Sequence, residues 1–302
     1  MSIVTGAGGG LGRAYAIDLA KRGAKIVVND LGGAPDGSGE GSKRPADDVV
    51  DEINRLGGQA VANYDSVATP EGGENIVKTA VDAFGKVDIL INNAGILRDR
   101  SFIKMEPEDW DAVMEVNLKG AYCVTRPVFR LMKENNYGRI ILTTSAAALY
   151  GNFGQSNYAA AKHGLIGLMN ILKIEGAKYH IKINTIVPAA VTRLTQALTP
   201  AEQAAKQRVD QVVPMVSFLC CEQSVESGNI YYAGMGVYKR VALVTGSGVV
   251  LGKDENSVSA EDIMTNFEKI NSLEGAKTFA KSAEHAAEVY KAIGWNPPAA
   301  AG

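Results

Sequence analysis

The 302-residue chain carries 31 basic against 33 acidic side chains, a net charge of −2, and 46% hydrophobic residues. Near-neutrality argues against a nucleic-acid surface, which needs clustered positive excess, and no apolar run approaches the ~20 residues that span a bilayer. Cys123, Cys220 and Cys221 form no disulfide framework, so a reducing cytoplasm without a signal peptide is expected. His163, His180 and His285 are dispersed and no ligand spacing recurs, so no metal centre is expected. The length suits one large domain with an appendage.

Ile3-Val4 is an apolar strand end followed by Thr5-Gly6-Ala7-Gly8-Gly9-Gly10-Leu11-Gly12 and a helical pattern to about Arg22. Strand, glycine loop and helix form the context in which free helix N–H groups face a pyrophosphate. The spelling is T-G-x-x-x-G-x-G through Thr5, Gly6, Gly10 and Gly12, with Leu11 inside it. Lys25 to Asp30 predicts a second strand that ends in an acid roughly 20 residues beyond the loop, where a ribose-binding carboxylate belongs.

Residues 32–45 are polar and glycine-rich, and composition predicts a mobile surface loop. The lesser alternative is a flap near the adenine or a CoA phosphate, with Lys43 and Arg44 as its charges. Strands follow at 59–64 and 87–92, the latter ending in Asn92-Asn93-Ala94-Gly95, whose Asn side chains suit turns and whose small residues admit close approach. Helices are expected at 45–57, 73–84 and 107–134, and Asn117 inside the last needs a partner if it faces the core.

Arg139 to Thr144 is an apolar run that places Ser145 at a strand's carboxyl end, with the strand drawn at 138–144. Tyr158 and Lys162 then share one face of a helix expected at 157–177. An ammonium beside a phenol of ordinary pKa ~10 favours the phenolate and so predicts a lowered value. A bare Y-x-x-x-K is common; Ser145 and the glycine loop raise its weight. Further strands at 181–187 and 229–233 bracket a helix at 201–220. The alternation predicts an α/β fold with a parallel sheet wrapped by helices.

Residues 239–302 read as an extension packed on the main domain, 1–238, or on a partner subunit. Arg240–Thr245 and Val249–Leu251 suggest a hairpin closed by Gly246-Ser247-Gly248. Ser259 is a candidate cap for a helix over 260–272, and a second helix is expected near 279–293, before a frayed Ala/Gly end. Val244 to Gly252 mimics the N-terminal loop, but Val250 replaces a required glycine and charged Lys253 to Asn256 follow, so no second nucleotide site is expected.

Taken together, the glycine loop, Asn92 to Gly95, Asn117, Ser145, Tyr158-x-x-x-Lys162 and the Pro188 segment resemble the short-chain dehydrogenase/reductase family over residues 1 to about 238. The segments around Asn29–Gly33, Asn63–Val67, Gly95–Asp99 and Tyr150–Gln155 look closest to its (3R)-hydroxyacyl-CoA dehydrogenases, which form a unit of a peroxisomal multifunctional enzyme and have bacterial relatives. The resemblance implies a doubly wound Rossmann-type sheet and a homodimer or homotetramer formed through the helices at 107–134 and 157–177. It further implies Tyr158 as the acid–base group, Ser145 holding the reacting oxygen, Lys162 on the nicotinamide ribose and Asn117 supporting a proton relay. Asp30 would bind the adenosine ribose, Asp65 with Ser66 and Val67 the adenine, Asn93 to Gly95 the cofactor's flank, and Pro188, Val191 and Thr192 the nicotinamide amide.

A carboxylate at Asp30 repels a 2′-phosphate, so NAD is expected as cofactor, with Arg13, Lys43 and Arg44 as the only counterweights. Pro188-Ala189 departs from the family's Pro-Gly, and Asn117 stands where the closest relatives can carry His. The implied substrate is a 3-hydroxyacyl-CoA, its chain near Leu149, Tyr150, Phe153 and Leu194. Alternatives are a hydroxysteroid or other bulky secondary alcohol, and a non-catalytic NAD-binding subunit of a hetero-oligomer.

Overall fold

The computed structural model describes residues 1–196, 199–252 and 257–296. Short apolar runs become strands whose successive side chains enter opposite layers. In β1 (Ser2–Thr5), Ile3 packs into one core cluster and Val4 into the other. The remaining strands are β2 (Lys25–Asn29), β3 (Gln59–Asn63), β4 (Ile89–Asn92), β5 (Gly138–Thr143), β6 (Ile181–Pro188), β7 (Ile230–Gly234) and β8 (Val237–Val241). They form one sheet in the order β3-β2-β1-β4-β5-β6-β7-β8, parallel except for β8.

Helices cover both faces. On one lie α1 (Gly10–Lys21), α2 (Arg44–Arg55) and, later in the chain, Val213–Cys220, with Tyr15, Ile53 and Val216 buried beneath them. On the other lie α3 (Pro70–Phe84), Gly120–Glu134 and Ser156–Gly176, which bury Ile76, Val128 and Leu165. The chain reverses its direction of winding between β1 and β4, so their carboxyl ends open a crevice.

Three expected elements differ. The helix drawn at 107–134 is α4 (Pro107–Met114), a π turn over Glu115–Lys119 and α5 (Gly120–Glu134). Asn117 lies in that turn, and its buried amide brackets one residue of the neighbouring chain: Nδ2 donates to Ile96 O and Oδ1 accepts from Ile96 N–H, both at 2.9 Å. A wider turn is a common accommodation for a side chain so engaged.

After α6 (Ala146–Tyr150) and α7 (Ser156–Gly176), the helix drawn at 201–220 is α8 (Ala201–Lys206), a 3₁₀ turn at Val209–Gln211 and α9 (Val213–Cys220). Pro214 explains the break: it has no N–H for an upstream carbonyl and fits only a helix's first turn.

The hairpin sits earlier than drawn, between β7 and β8. Met235 and Gly236 both have positive φ, +52° and +72°, as a two-residue primed turn requires. The division between Met1–Val241 and Ala242–Gly302 therefore follows β8.

Within the second unit, α10 (Ala260–Ile270) begins with Ser259 in a reciprocal capping box with Asp262. The other helix is α11 (Ser282–Ala292), and Thr245 pairs with Lys277 in a single antiparallel bridge. The segment that mimics the N-terminal loop thus opens no helix at its described residues. The charged 253–256 stretch and the 297–302 tail lie outside the described residues.

Candidate active site

The crevice at the carboxyl ends of β1, β2, β4, β5 and β6 encloses about 340 Å³. Its glycine-loop wall is built by close packing. A Cβ on Gly12 would penetrate the Gly6 carbonyl oxygen, so this glycine lets the turn close on itself and does not line the crevice. Asn93 fastens the loop to β4: its Nδ2 donates to Thr5 O and Gly6 O at 3.0 and 3.1 Å, while the Asn93 and Ala94 N–H groups donate to Thr5 Oγ1. The start of α1 has neither a capping side chain nor an acid in its first turn. Beside it the Gly9 backbone is open, with no atom within 4 Å of an added Cβ. Uncapped N–H groups at an open backbone suit a pyrophosphate. The residues present therefore fit a dinucleotide.

Asp30 ends β2 almost fully buried, and accepts hydrogen bonds from Gly8 N–H at 2.8 Å and Gly32 N–H at 2.7 Å. Its carboxylate lines the crevice. Asp65, after β3, is oriented by Asn63 Nδ2 at 2.7 Å and Asn75 Nδ2 at 3.2 Å, and lines the crevice with Ser66 and Val67. Gly6, Gly10, Leu11, Asn93, Ala94, Gly95, Pro188 and Thr192 contribute to the same wall. Val191 does not, because its N–H is turned to Gln207 O.

At the inner end, β5 stops at Thr143 and Ser145 caps the short α6, its Oγ accepting from Ala147 N–H at 3.2 Å. Thr144 Oγ1 donates to Lys162 O at 2.8 Å, joining that strand end to α7 one turn beyond Tyr158. Ser145, Tyr158 and Lys162 all line the crevice. The Lys162 ammonium lies 5.7 Å from the centre of the Tyr158 ring. Asn117 lines a small adjoining pocket together with Lys162.

The electrostatics differ from expectation. Burial dominates and pushes the Tyr158 phenol up to about 12; Ser145 pulls it down and the Asp99 carboxylate raises it further. Burial likewise lowers Lys162 to about 8. The ammonium stands beside the phenol as drawn, but desolvation of both groups outweighs their attraction. At neutral pH the phenol is therefore protonated and able to donate.

Tyr150 and Phe153, expected along an acyl chain, face solvent at 72% and 88% exposure, and Leu149 packs against the core. Leu194 does line the crevice. The 32–45 insertion borders the site, as the lesser of the two sequence readings had it: Gly33, Pro35 and Gly37 line the crevice. A turn signal was present in Pro35-Asp36-Gly37-Ser38, where Asp36 Oδ1 accepts from both the N–H and the hydroxyl of Ser38.

A doubly wound sheet with a dinucleotide crevice lined by a serine, a tyrosine and a buried lysine defines an oxidoreductase that moves a hydride through a nicotinamide cofactor, NAD or NADP. The chain belongs to the short chain dehydrogenase family, whose profile matches residues 1–206.

A Mycobacterium tuberculosis protein with the provisional name short-chain type dehydrogenase/reductase is 50% identical over 91% of this chain and 95% of its own length. The peroxisomal multifunctional enzyme A of Dictyostelium discoideum is 49% identical over 98% of this chain and 65% of its own. The full-length peroxisomal multifunctional enzyme type 2 of Drosophila melanogaster superposes with a TM-score of 0.82 at 37% identity, covering 97% of this chain and 49% of that one. This chain therefore spans only part of both multifunctional relatives. They also overturn the cytoplasmic expectation, since both are peroxisomal enzymes. Three free thiols report on redox surroundings and carry no address.

Proposed function

We propose that the chain interconverts a 3-hydroxyacyl-CoA and a 3-oxoacyl-CoA with NAD, as the dehydrogenase unit of a peroxisomal-type enzyme. The observation that carries the reading is that Ser145, Tyr158 and a buried Lys162 together line the dinucleotide crevice. Its likeness to the multifunctional enzymes supplies the substrate class.

The nicotinamide, when bound, takes or returns the hydride. Tyr158 supplies or removes the proton at the substrate oxygen, and Ser145 holds that oxygen with its hydroxyl. Lys162 lies beside the phenol and binds the nicotinamide ribose, while Asn117 holds the Gly95-Ile96 backbone that borders them. General acid–base catalysis and positioning carry the protein's share of the rate.

NAD is favoured over NADP by the Asp30 carboxylate, and the three counterweights named from the sequence are engaged elsewhere: Arg13 with Glu52, Lys43 over the Tyr64 ring, Arg44 with Asp48. A fourth cation, Arg193, lies 4.0 Å from Asp30.

The test is NADH oxidation with 3-oxoacyl-CoAs, free ketones and steroid ketones, repeated with NADPH. Turnover of the acyl-CoAs with NADH is expected; steroid turnover alone would refute the substrate class. In the same assay Asp30→Ala should narrow the preference for NADH by about tenfold or more, one lost charge-assisted contact. Tyr122 on α5 and Ile171 and Ile174 on α7 are exposed apolar residues, which supports a homodimer or homotetramer. Light scattering giving a monomeric mass at micromolar concentration would contradict that.

A further inference from the structure

The insertion after β2 has no part in the chemistry above, yet it forms a wall of the crevice. From Leu31 it runs out and returns, with Ser42 N–H donating to Leu31 O at 3.1 Å. Its tip is closed locally, with Gly37 N–H donating to Ala34 O, and is also held by the segment after β4. Leu97 N–H donates to Pro35 O at 3.1 Å, and Arg98 Nε donates to Asp36 O at 2.8 Å. Gly37, at φ +78°, sits so close to Ile96 that an added Cβ would come within 2.9 Å of Ile96 Cδ1.

Residues 32–42 thus cross from the end of β2 to the segment after β4, over a crevice whose floor is the glycine loop. A dinucleotide lying in that crevice would be covered by this strap. Release would require few bonds to part.

Arg98 is the hub of this arrangement. Besides Asp36 O, its guanidinium reaches Glu108 O at 3.2 Å through Nη1 and stands 3.8 Å from the Asp109 carboxylate, both on α4. Its own carbonyl accepts from Asn157 Nδ2 at 3.0 Å, and Asn157 Oδ1 accepts from the Tyr158 N–H at 2.7 Å. One residue therefore fastens the strap and anchors the first turn of the catalytic helix.

We propose that Arg98 is a positioning residue that latches Gly32–Ser42 as a strap over the bound cofactor and ties its closure to the helix carrying Tyr158. This rests on the reading of the crevice as a nicotinamide-dinucleotide site. Arg98 lines the crevice as well, but its guanidinium is engaged by the strap and α4, so its effect falls first on cofactor retention. Lysine offers a single point charge where arginine reaches several carbonyls at once, so it restores the latch only in part.

The experiment compares Arg98→Ala, Arg98→Lys and Gly37→Val with the unaltered chain. The valine perturbs a neighbouring contact of the strap, its seat on Ile96, and strains the strap backbone at a positive φ. Cofactor KM is measured beside kcat at saturating cofactor, and hydrogen exchange is followed at the Leu97 amide, whose partner is the strap's Pro35 carbonyl. Arg98→Ala should raise the KM for NADH by about tenfold, the loss of one hydrogen bond to a charged donor, and Gly37→Val should raise it in the same direction by displacing the strap from Ile96. The fall in kcat should be much smaller, the Leu97 amide should exchange faster, and Arg98→Lys should lie between.

Unaltered KM and unaltered Leu97 exchange in both variants would overturn the proposal. So would a loss in Arg98→Ala that tracks a lowered melting temperature and is absent from Gly37→Val. Fluorescence titration of the unaltered chain separates the readings. Failure to bind either NADH or NADPH would defeat the cofactor assignment and the strap with it. Binding with indifferent variants defeats the strap alone.

Discussion

Tyr158→Phe should lower kcat by roughly 10²-fold or more, the usual worth of a positioned general acid or base, while leaving NADH binding close to that of the unaltered chain. The substitution removes one oxygen from a half-buried ring that packs against Ile96, Val113 and Ala161, and changes that packing little. The lost atom is the one that exchanges a proton with substrate.

The direction of the pH dependence follows from the phenol's position at about 12. Below that value the group is protonated and ready to donate, so ketone reduction should run well at neutral pH and weaken as the phenol ionises. Alcohol oxidation needs the phenolate and should accelerate as pH rises. Because Lys162 ionises near 8 beside it, the two observed steps belong to the pair and not to either residue alone. Rate profiles in both directions check this, and near-normal turnover by the phenylalanine variant would remove Tyr158 from the mechanism.

Lys162→Met should abolish most activity and at the same time stabilise the fold at neutral pH. The ammonium is almost completely buried, and among the described residues no carboxylate forms an ion pair with it. Burial lowers its pKa from 10.5 to about 8, so holding the charge in the folded state costs on the order of 3 kcal/mol.

For the sign, the unfolded lysine binds its proton up to about 10.5 and the folded one only to about 8. Between these values the unfolded chain holds more protons, and stability rises with pH. The penalty is thus full below pH 8 and relieved above it. Methionine fills a similar volume without the charge. Its melting temperature should exceed that of the unaltered chain most at neutral pH, and the advantage should shrink toward pH 10. Turnover should fall by roughly 10²-fold or more, with weaker cofactor binding. A variant less stable at neutral pH, or one that turns over normally, contradicts this account. The cost is one that a functional site carries at the expense of stability.

Much of the sheet was legible because its strands are short apolar runs bounded by turn residues, and burial on both faces leaves such runs few other uses. The helix boundaries were less so. The 107–134 pattern was drawn as one helix because apolar residues recur on both sides of the π turn, while the turn is seen only where Asn117 meets the distant Ile96. The C-terminal hairpin was displaced because Met235-Gly236 does not spell a familiar turn, whereas Gly246-Ser247-Gly248 does.

At the site, residue types at fixed spacing marked Tyr158, Lys162, Ser145 and the glycine loop, because chemistry of this kind restricts both identity and separation along one helix or turn. Local sequence also determined that β1 leads into a loop able to receive a pyrophosphate. Three things were settled only when distant segments met. The insertion became a wall of the crevice through Arg98, Leu97 and Ile96, far along the chain. Tyr150 and Phe153 turned outward. The proton affinities of Tyr158 and Lys162 came out against the simple expectation from their pairing, because desolvation is a property of everything packed around a group, and spacing along one helix carries no record of it.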